Sequence, residues 1–363
     1  MTEDAAGLES AMVTGPLSSP AGTRPDAPTL LVVIVNYKTA ALTVRCLETL
    51  GPELETIPGG RATVVENASG EGDVLTRAIA ERGWGSWVHL EVVDRNGGFS
   101  YGNNRGIQPS LESVNPPRYV LLLNADTEVR PGSLRTLIEF MDQNPKVGIA
   151  GCSFENRDGS DWHHAFRFFS PLGELEGSMN LGPVSRLLRK HAVTRTMEQD
   201  RPQPVDWVAG ACMLIRKDVF DDVGLMDEAY FLYYEEVDFC LQARRRGWEC
   251  WYVPQSRIMH IGGQSTGVTE RDRRPPRTPS YWFASRHRYF RKNHGLAASI
   301  AADLAYGIGF AGRRFYRIIA RRPDLDPPHH LADFWKNSVF LKRRPRLERR
   351  EPASPITSRR FSS

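Results

Sequence analysis

The chain has 363 residues, 40% hydrophobic and 25% charged, which fits a soluble globular protein of one large domain with extensions, or of two domains, and excludes a fibrous or low-complexity chain. A formal charge of +4 hides an asymmetry: residues 271–363 carry 22 Lys/Arg against 7 Asp/Glu, so the remainder is acidic, and a basic tail of this kind reads as one that meets phosphate, in lipid head groups or nucleic acid. The five cysteines are odd in number and show no Cys-x-x-Cys spacing, which argues against a disulfide framework or a zinc site and for reduced, buried thiols in a cytosolic protein.

Residues 1–28 are rich in Ala, Gly, Pro, Ser and Thr and lack a basic stretch followed by an apolar one, so a disordered tail and no secretory signal are expected. Leu30 to Val35 is an unbroken apolar strand ending in Asn36-Tyr37-Lys38. Leu42, Cys46, Leu47 and Leu50 fall at helical spacing, and Gly51-Pro52 is expected to stop that helix. Ala62 to Val65 is a second strand, ending in Glu66-Asn67-Ala68-Ser69-Gly70; a helix over about 73–82 and a strand over Leu90 to Val93 follow. Strands alternating with helices predict parallel, right-handed βαβ units, with the polar residues at 36, 66–67 and 94–96 along one sheet edge. Gly98, Gly102 and Gly106 form neither a dinucleotide fingerprint nor a phosphate loop. Glycines one helical turn apart do allow another backbone, or a nucleotide, to approach a helix start closely.

Tyr119 to Leu123 is apolar without alternation and predicts a strand buried on both faces. Asn124 and Asp126 sit at its carboxyl end, where open α/β sheets place ligands. Alternate residues of an extended chain share a side, so the two can address one hard cation; alternatively Asp126 caps the helix expected from about Pro131. A helix near 131–144 and a strand over Val147 to Gly151 continue the pattern. Residues 153–204 have no long apolar run and are expected to form an insertion over the sheet edge, a candidate acceptor lid; His163 and His164 read as structural or solvent-facing.

A second chemical cluster runs from Asp206-Trp207-Val208-Ala209-Gly210-Ala211 into an apolar strand, and then from Tyr233 into a helix. Glu235, Glu236 and Asp238 crowd the first turn of that helix. Acids there complement the helix dipole, but three exceed that need, and mutual repulsion raises the pKa of at least one, as suits a general base. His260 follows an apolar strand beside Gly262-Gly263 and is a candidate third metal ligand.

Together, Val33 to Lys38, Asn96 to Phe99 with Gly102 to Gly106, Leu122 to Thr127, Asp206 to Ala211 and Tyr233 to Asp238 resemble the motifs of family 2 glycosyltransferases. Within that family they are most similar to bacterial rhamnosyltransferases of cell-surface polysaccharide. The resemblance covers roughly residues 30–295. It implies a GT-A fold: an α/β nucleotide-sugar-binding domain with a mostly parallel central sheet flanked by helices, here with a helical C-terminal extension. The corresponding layout is a catalytic domain at 29–270, split into a nucleotide-binding half (29–151) and an acceptor half (152–270), a basic helical extension at 271–340 and a disordered basic tail at 341–363.

The resemblance further implies a nucleotide-sugar donor, here dTDP-L-rhamnose, a Mg²⁺ or Mn²⁺ ion, inversion at the anomeric carbon, and a lipid-linked or polysaccharide acceptor. Asn124 and Asp126 match the metal position, with Asn replacing the first acid, and His260 matches the late metal-side histidine. Donor contacts fall on Asn36, Tyr37, Glu66, Asn67, Asn96, Gly98, Phe99 and Asn104, as well as Asn124 and Asp126. Glu66 stands where an Asp usually contacts the base of the nucleotide. Acceptor contacts fall on Asp206, Trp207, Gly210 and Ala211. Glu236 stands where the family has the catalytic Asp, and Glu235 or Asp238 are the alternative bases.

In the extension, Leu296 to Gly312 is apolar but short for a membrane span. It reads either as an interfacial helix on an anionic membrane, on the inner face of the plasma membrane, or as a helix packed on the domain. Two rival classes are a non-catalytic sugar- or nucleotide-binding domain and a nucleic-acid-binding protein. The latter leaves the strand-end acids unexplained, so no nucleic acid is expected as a partner.

Overall fold

The computed structural model of the chain describes residues 29–156, 160–162, 164–261 and 275–342. The expected tails at 1–28 and beyond 342, together with His163 and Gly262-Gly263, lie outside the described residues.

The first half alternates strand and helix: β1 (Leu30–Asn36), α1 (Ala40–Glu55), β2 (Arg61–Glu66), α2 (Gly72–Glu81), β3 (Val88–Val92), α3 (Gly98–Leu111) and β4 (Tyr119–Leu123). A short β5 (Thr127–Val129), α4 (Ser133–Gln143) and β6 (Val147–Glu155) complete it. The insertion holds β7 (Asp161–Trp162), β8 (His164–Phe166), α5 (Pro171–Met179), α6 (Gly182–Leu187), β9 (Thr194–Thr196) and β10 (Gln203–Val205). After it come β11 (Cys212–Arg216), α7 (Lys217–Val223), α8 (Glu235–Arg245), β12 (Glu249–His260), α9 (Ser280–Ile319) and α10 (His330–Lys336).

The central sheet runs β10-β12-β6-β11-β4-β1-β2-β3. Strands β12, β6, β4, β1, β2 and β3 share one direction, and β11 and β10 oppose it. Successive residues of β1 therefore belong to opposite cores. Leu30, Val32 and Ile34 pack with Cys46, Leu47 and Leu137 on one face, and Leu31 and Val33 pack with Ile107 and Phe239 on the other. All five cysteines are free and buried, and burial pushes the Cys46 thiol up to about 12.

Two expectations are corrected. Helix α1 does not stop at Gly51-Pro52 but runs to Glu55. Leu54 completes its buried stripe, and Glu53 caps α4 by accepting from the amides of Gly132 and Leu134 at 2.7 and 3.1 Å, so tertiary contacts offset the proline. Asp126 is not the cap of α4, because β5 intervenes and pairs antiparallel with β12.

The basic stretch from Tyr281 to Asn293 is not a free phosphate-binding surface. Three of its four Lys/Arg are paired within the fold: Arg286 with Glu174 and with Asp303 of α9 itself, Arg288 with Asp227, and Lys292 with Asp227 and Asp238. A left-handed Gly295 (φ 79°) divides α9 here, between Ser280–His294 and Leu296–Ile319. The first half is wedged into the domain and the second runs along α5 and α10.

Candidate active site

The site gathers at the carboxyl ends of the parallel strands, the position that the ends of β1, β2 and β4 predict. The first three strand ends are tied together by side chains. Asn36 is fully buried; its amide donates to Glu71 Oε2 at 2.9 Å, and its oxygen accepts from Thr39 and Thr43. Glu66 Oε1 receives the Ser69 amide at 2.6 Å and the Ser69 hydroxyl. Asn67 donates to Asn96 Oδ1 at 3.1 Å and to the Gly98 carbonyl at 3.2 Å, while its own Oδ1 is buried without a hydrogen-bond partner. Tyr37 is half-exposed, with Lys38 over its ring. Of the donor residues predicted here, Tyr37 is half-exposed, whereas Asn36, Glu66 and Asn67 are buried and Asn96 is bonded to Asn67. Glu71, which no motif pointed to, locks Asn36.

The loop before α3 is tight. Gly98 has φ 86°, and a Cβ on it would stand 1.9 Å from the Phe231 carbonyl oxygen, which accepts from the Phe99 amide at 2.8 Å. The glycine is therefore used for backbone approach from Phe231. Asn104 is likewise turned inward, bonding the Met226 backbone at both ends of its amide and also Glu228.

From Phe231 the chain reaches α8 through Tyr233 and Tyr234, both left-handed at φ 72° and 69°. Two such non-glycine residues in a row each cost on the order of 1–3 kcal/mol and persist only where surroundings over-determine them. Here Tyr234 is 5% exposed and packed against the rings of Phe169, Trp282 and Tyr289, and the other end is held by Phe231. The double turn sets the direction in which α8 starts.

The three acids of α8 separate by environment. Asp238 is buried and accepts from Lys292 at 2.5 Å and Asn293 at 2.6 Å, which makes it the anchor of α8 to α9. Glu235 is buried; desolvation and the neighbouring Glu236 push its carboxyl well above the usual range, favouring its neutral form. Glu236 is half-exposed, and burial of its carboxyl raises it to about 7. Its Oε2, like that of Glu235, is buried without a hydrogen-bond partner.

Glu236 faces the segment expected to meet the acceptor. A Cβ built on Gly210 would lie 3.1 Å from the Phe99 ring and 3.9 Å from Glu236 Cβ, so the glycine lets this segment pack closely between the two. The next residue, Ala211, accepts from the Asn124 amide at 3.0 Å. Asp206 and Trp207 instead serve the scaffold: Asp206 holds Arg244 at 2.6 Å and the Phe168 amide at 2.9 Å, and the Trp207 indole donates to the Arg167 carbonyl and stacks on Phe166.

On the other side of Ala211 lie Asn124, Asp126 and His260. Asp126 Oδ1 is 3.3 Å and the Asn124 amide end 3.5 Å from His260 Nε2. Among the described residues no three His, Cys, Asp or Glu side chains surround one point. The set is one carboxylate, one amide and one imidazole, with Asp126 and His260 side chains 9% and 14% exposed. These donors suit Mg²⁺ or Mn²⁺ if further oxygens come from a ligand.

The sequence profile described as glycosyltransferase like family 2 matches residues 27–295. The chain is 31% identical over 218 residues to the low-salt glycan biosynthesis hexosyltransferase Agl10 of Haloferax volcanii, covering 60% of this chain and 62% of that one. It is 32% identical over 155 residues to an N-acetylglucosaminyl-diphospho-decaprenol L-rhamnosyltransferase of Mycobacterium tuberculosis, covering 41% and 48%. The match thus spans between about half and three-fifths of these relatives' lengths. The solved mannosyltransferase PcManGT of Pyrobaculum calidifontis aligns with a TM-score of 0.49 at 15% identity, over 84% of this chain and 79% of that one. With the profile matching well over half of its length, the chain belongs to the glycosyltransferase like family 2.

Proposed function

We propose that the protein is an inverting hexosyltransferase that moves L-rhamnose from dTDP-L-rhamnose to a hydroxyl of a lipid-linked or polysaccharide acceptor. The observation that carries this reading is the placement of Glu236. Glu236, whose carboxyl burial raises to about 7 and whose Oε2 is buried without a hydrogen-bond partner, stands beside Gly210, one residue from Ala211, whose carbonyl meets the end of the strand that bears Asn124 and Asp126. The M. tuberculosis relative's name specifies an L-rhamnosyl transfer to a lipid diphosphate sugar, which supports the donor and acceptor class.

In the proposed reaction Glu236 takes the proton from the acceptor hydroxyl, that oxygen bonds the anomeric carbon, and the bond from that carbon to the diphosphate oxygen breaks, giving inversion. Asn124, Asp126 and His260 would hold Mg²⁺ or Mn²⁺, which when bound neutralises charge on the departing nucleoside diphosphate. Glu235, kept neutral by its burial, adds no second negative charge beside the base. Tyr233 and Tyr234 set where the helix that bears the base begins.

A donor screen tests the reading: dTDP-rhamnose, UDP-glucose and GDP-mannose, each with and without a lipid-linked N-acetylglucosaminyl diphosphate. Acceptor-dependent nucleotide release from dTDP-rhamnose, lost in Glu236→Gln, is the expected result. Release from another donor would replace the sugar assignment. Donor binding without turnover of any donor would replace the enzyme by a sugar-nucleotide-binding domain.

A further inference from the structure

We infer that the second half of α9 is a docking face for an anionic lipid surface, with the helix lying along the bilayer and its exposed apolar row inserted among the head groups. The inference concerns binding and does not rest on the proposed reaction.

From Leu296 onward the helix has two unlike sides. Ala302, Asp303 and Phe310 are buried, and Gly307 and Gly309 meet Trp335 of α10 and Ser178 of α5 closely. At 100° per residue, Leu304, Ile308, Phe315 and Ile319 fall within one arc of about 60° on the other side. They are 44%, 62%, 66% and 66% exposed, a continuous row where scattered single residues would be unremarkable. Ile318 at 74% extends the row at its end.

Charge identifies the occupant. Between Leu296 and Pro323 the acidic residue is Asp303, which is buried against Arg286, while Arg313, Arg314, Arg317, Arg321 and Arg322 cluster at the helix end. Arg313 and Arg317 are held by Asp326 and Arg314 by Asp324; Arg321 and Arg322 are exposed. Exposed apolar side chains ending in arginines are complementary to acyl chains beneath anionic head groups. A second copy stacked in register on the same face would bring like charges together.

By length and composition α9 is apolar enough to cross a membrane. Its inner side, however, carries the buried Asp303–Arg286 pair and packs on α5, and spanning would strip both away. Lying flat keeps them.

The test is co-flotation of the full-length protein with vesicles of phosphatidylcholine alone or with about 30% phosphatidylglycerol, at about 0.15 M salt. Full-length protein should float with the anionic vesicles. The combined variant Ile308→Glu, Phe315→Glu, Ile319→Glu should lose at least about tenfold in partition, with an unchanged circular dichroism melt because the positions are exposed. Arg321→Glu with Arg322→Glu should weaken binding to anionic but not to neutral vesicles. Equal flotation of the apolar variant and the parent would overturn the inference and leave the basic residues beyond 342 as the binders. A variant that changes sedimentation velocity from dimer to monomer, with flotation unaltered, would assign the face to a second copy.

Discussion

Asp126 Oδ1 stands 3.3 Å from His260 Nε2, joining the end of β4 to the end of β12. Two residues far apart in the chain meet because β5, directly after Asp126, pairs with the last residues of β12, His260 opposite Thr127. The Ile261 amide donating to the Asp126 carbonyl at 3.0 Å closes the same junction. The candidate metal donors are therefore held by sheet pairing, on rigid backbone.

Removing this pair's carboxylate should remove transfer. Asp126→Ala is expected to lower kcat/KM at least ~10²-fold, since the charge opposing the cation is worth several kcal/mol and each 1.4 kcal/mol is tenfold. Isothermal calorimetry with Mn²⁺ and the purified variant reads the site independently of activity, and should show loss of the binding seen in the parent. Full activity of a folded variant, or of the parent in excess chelator, sinks the assignment.

The base should show itself in the pH profile. As the proposed base Glu236 would act as its carboxylate, and burial raises it to about 7, so the active form is lost as pH falls. Below about 7, kcat/KM should drop tenfold per pH unit, and above it the limb should be flat. Glu236→Gln should lower kcat at least ~10²-fold and erase the limb, with donor affinity by calorimetry nearly unchanged. Asp238→Asn is predicted to act through stability, because that carboxylate already holds Lys292 and Asn293. A normal Glu236→Gln beside a dead but folded Glu235→Gln would move the base by one residue.

Gly98 should tolerate no side chain. Gly98→Ala places a Cβ against the Phe231 carbonyl at a left-handed φ, so it should destabilise the fold by more than about 1 kcal/mol and displace the turn that aims Glu236. Urea midpoints and kcat should fall together. Gly224→Ala is the control: it shares the positive φ, but nothing lies within 4 Å of its Cβ, so stability should drop less and kcat should hold.

Arg286 should matter more to folding than its place in a tail would suggest. It is 3% exposed, bonds Glu174 and Asp303, and lies about 5 Å from the rings of Phe290, Tyr306 and Phe334. Arg286→Ala leaves two buried carboxylates unpaired and should cost about 3–5 kcal/mol, read by chemical denaturation. Glu174→Gln with Asp303→Asn in the Arg286→Met background should recover part of that loss. No recovery would mean the packing of the guanidinium on the rings dominates.

The strands from Leu30 to Leu123, the carboxyl-edge location and the two acid clusters were legible in the sequence. Unbroken apolar runs can be buried only on both faces of a sheet, and polar residues that follow each run must emerge at the same edge. What the sequence could not decide was which polar residues remain free. Asn36, Asn104, Asp206 and Asp238 match motifs as well as Glu236 does, yet each is bound to a side chain or backbone group distant in the chain. The left-handed turn at Tyr233-Tyr234 left no local signal either, because tyrosine does not favour it and only packing against Phe169, Trp282 and Tyr289 holds it. Local pattern and composition thus determined the strand ends; long-range pairing decided which carboxylate is buried, partnered or poised, since desolvation and neighbouring charge exist only once the chain has folded.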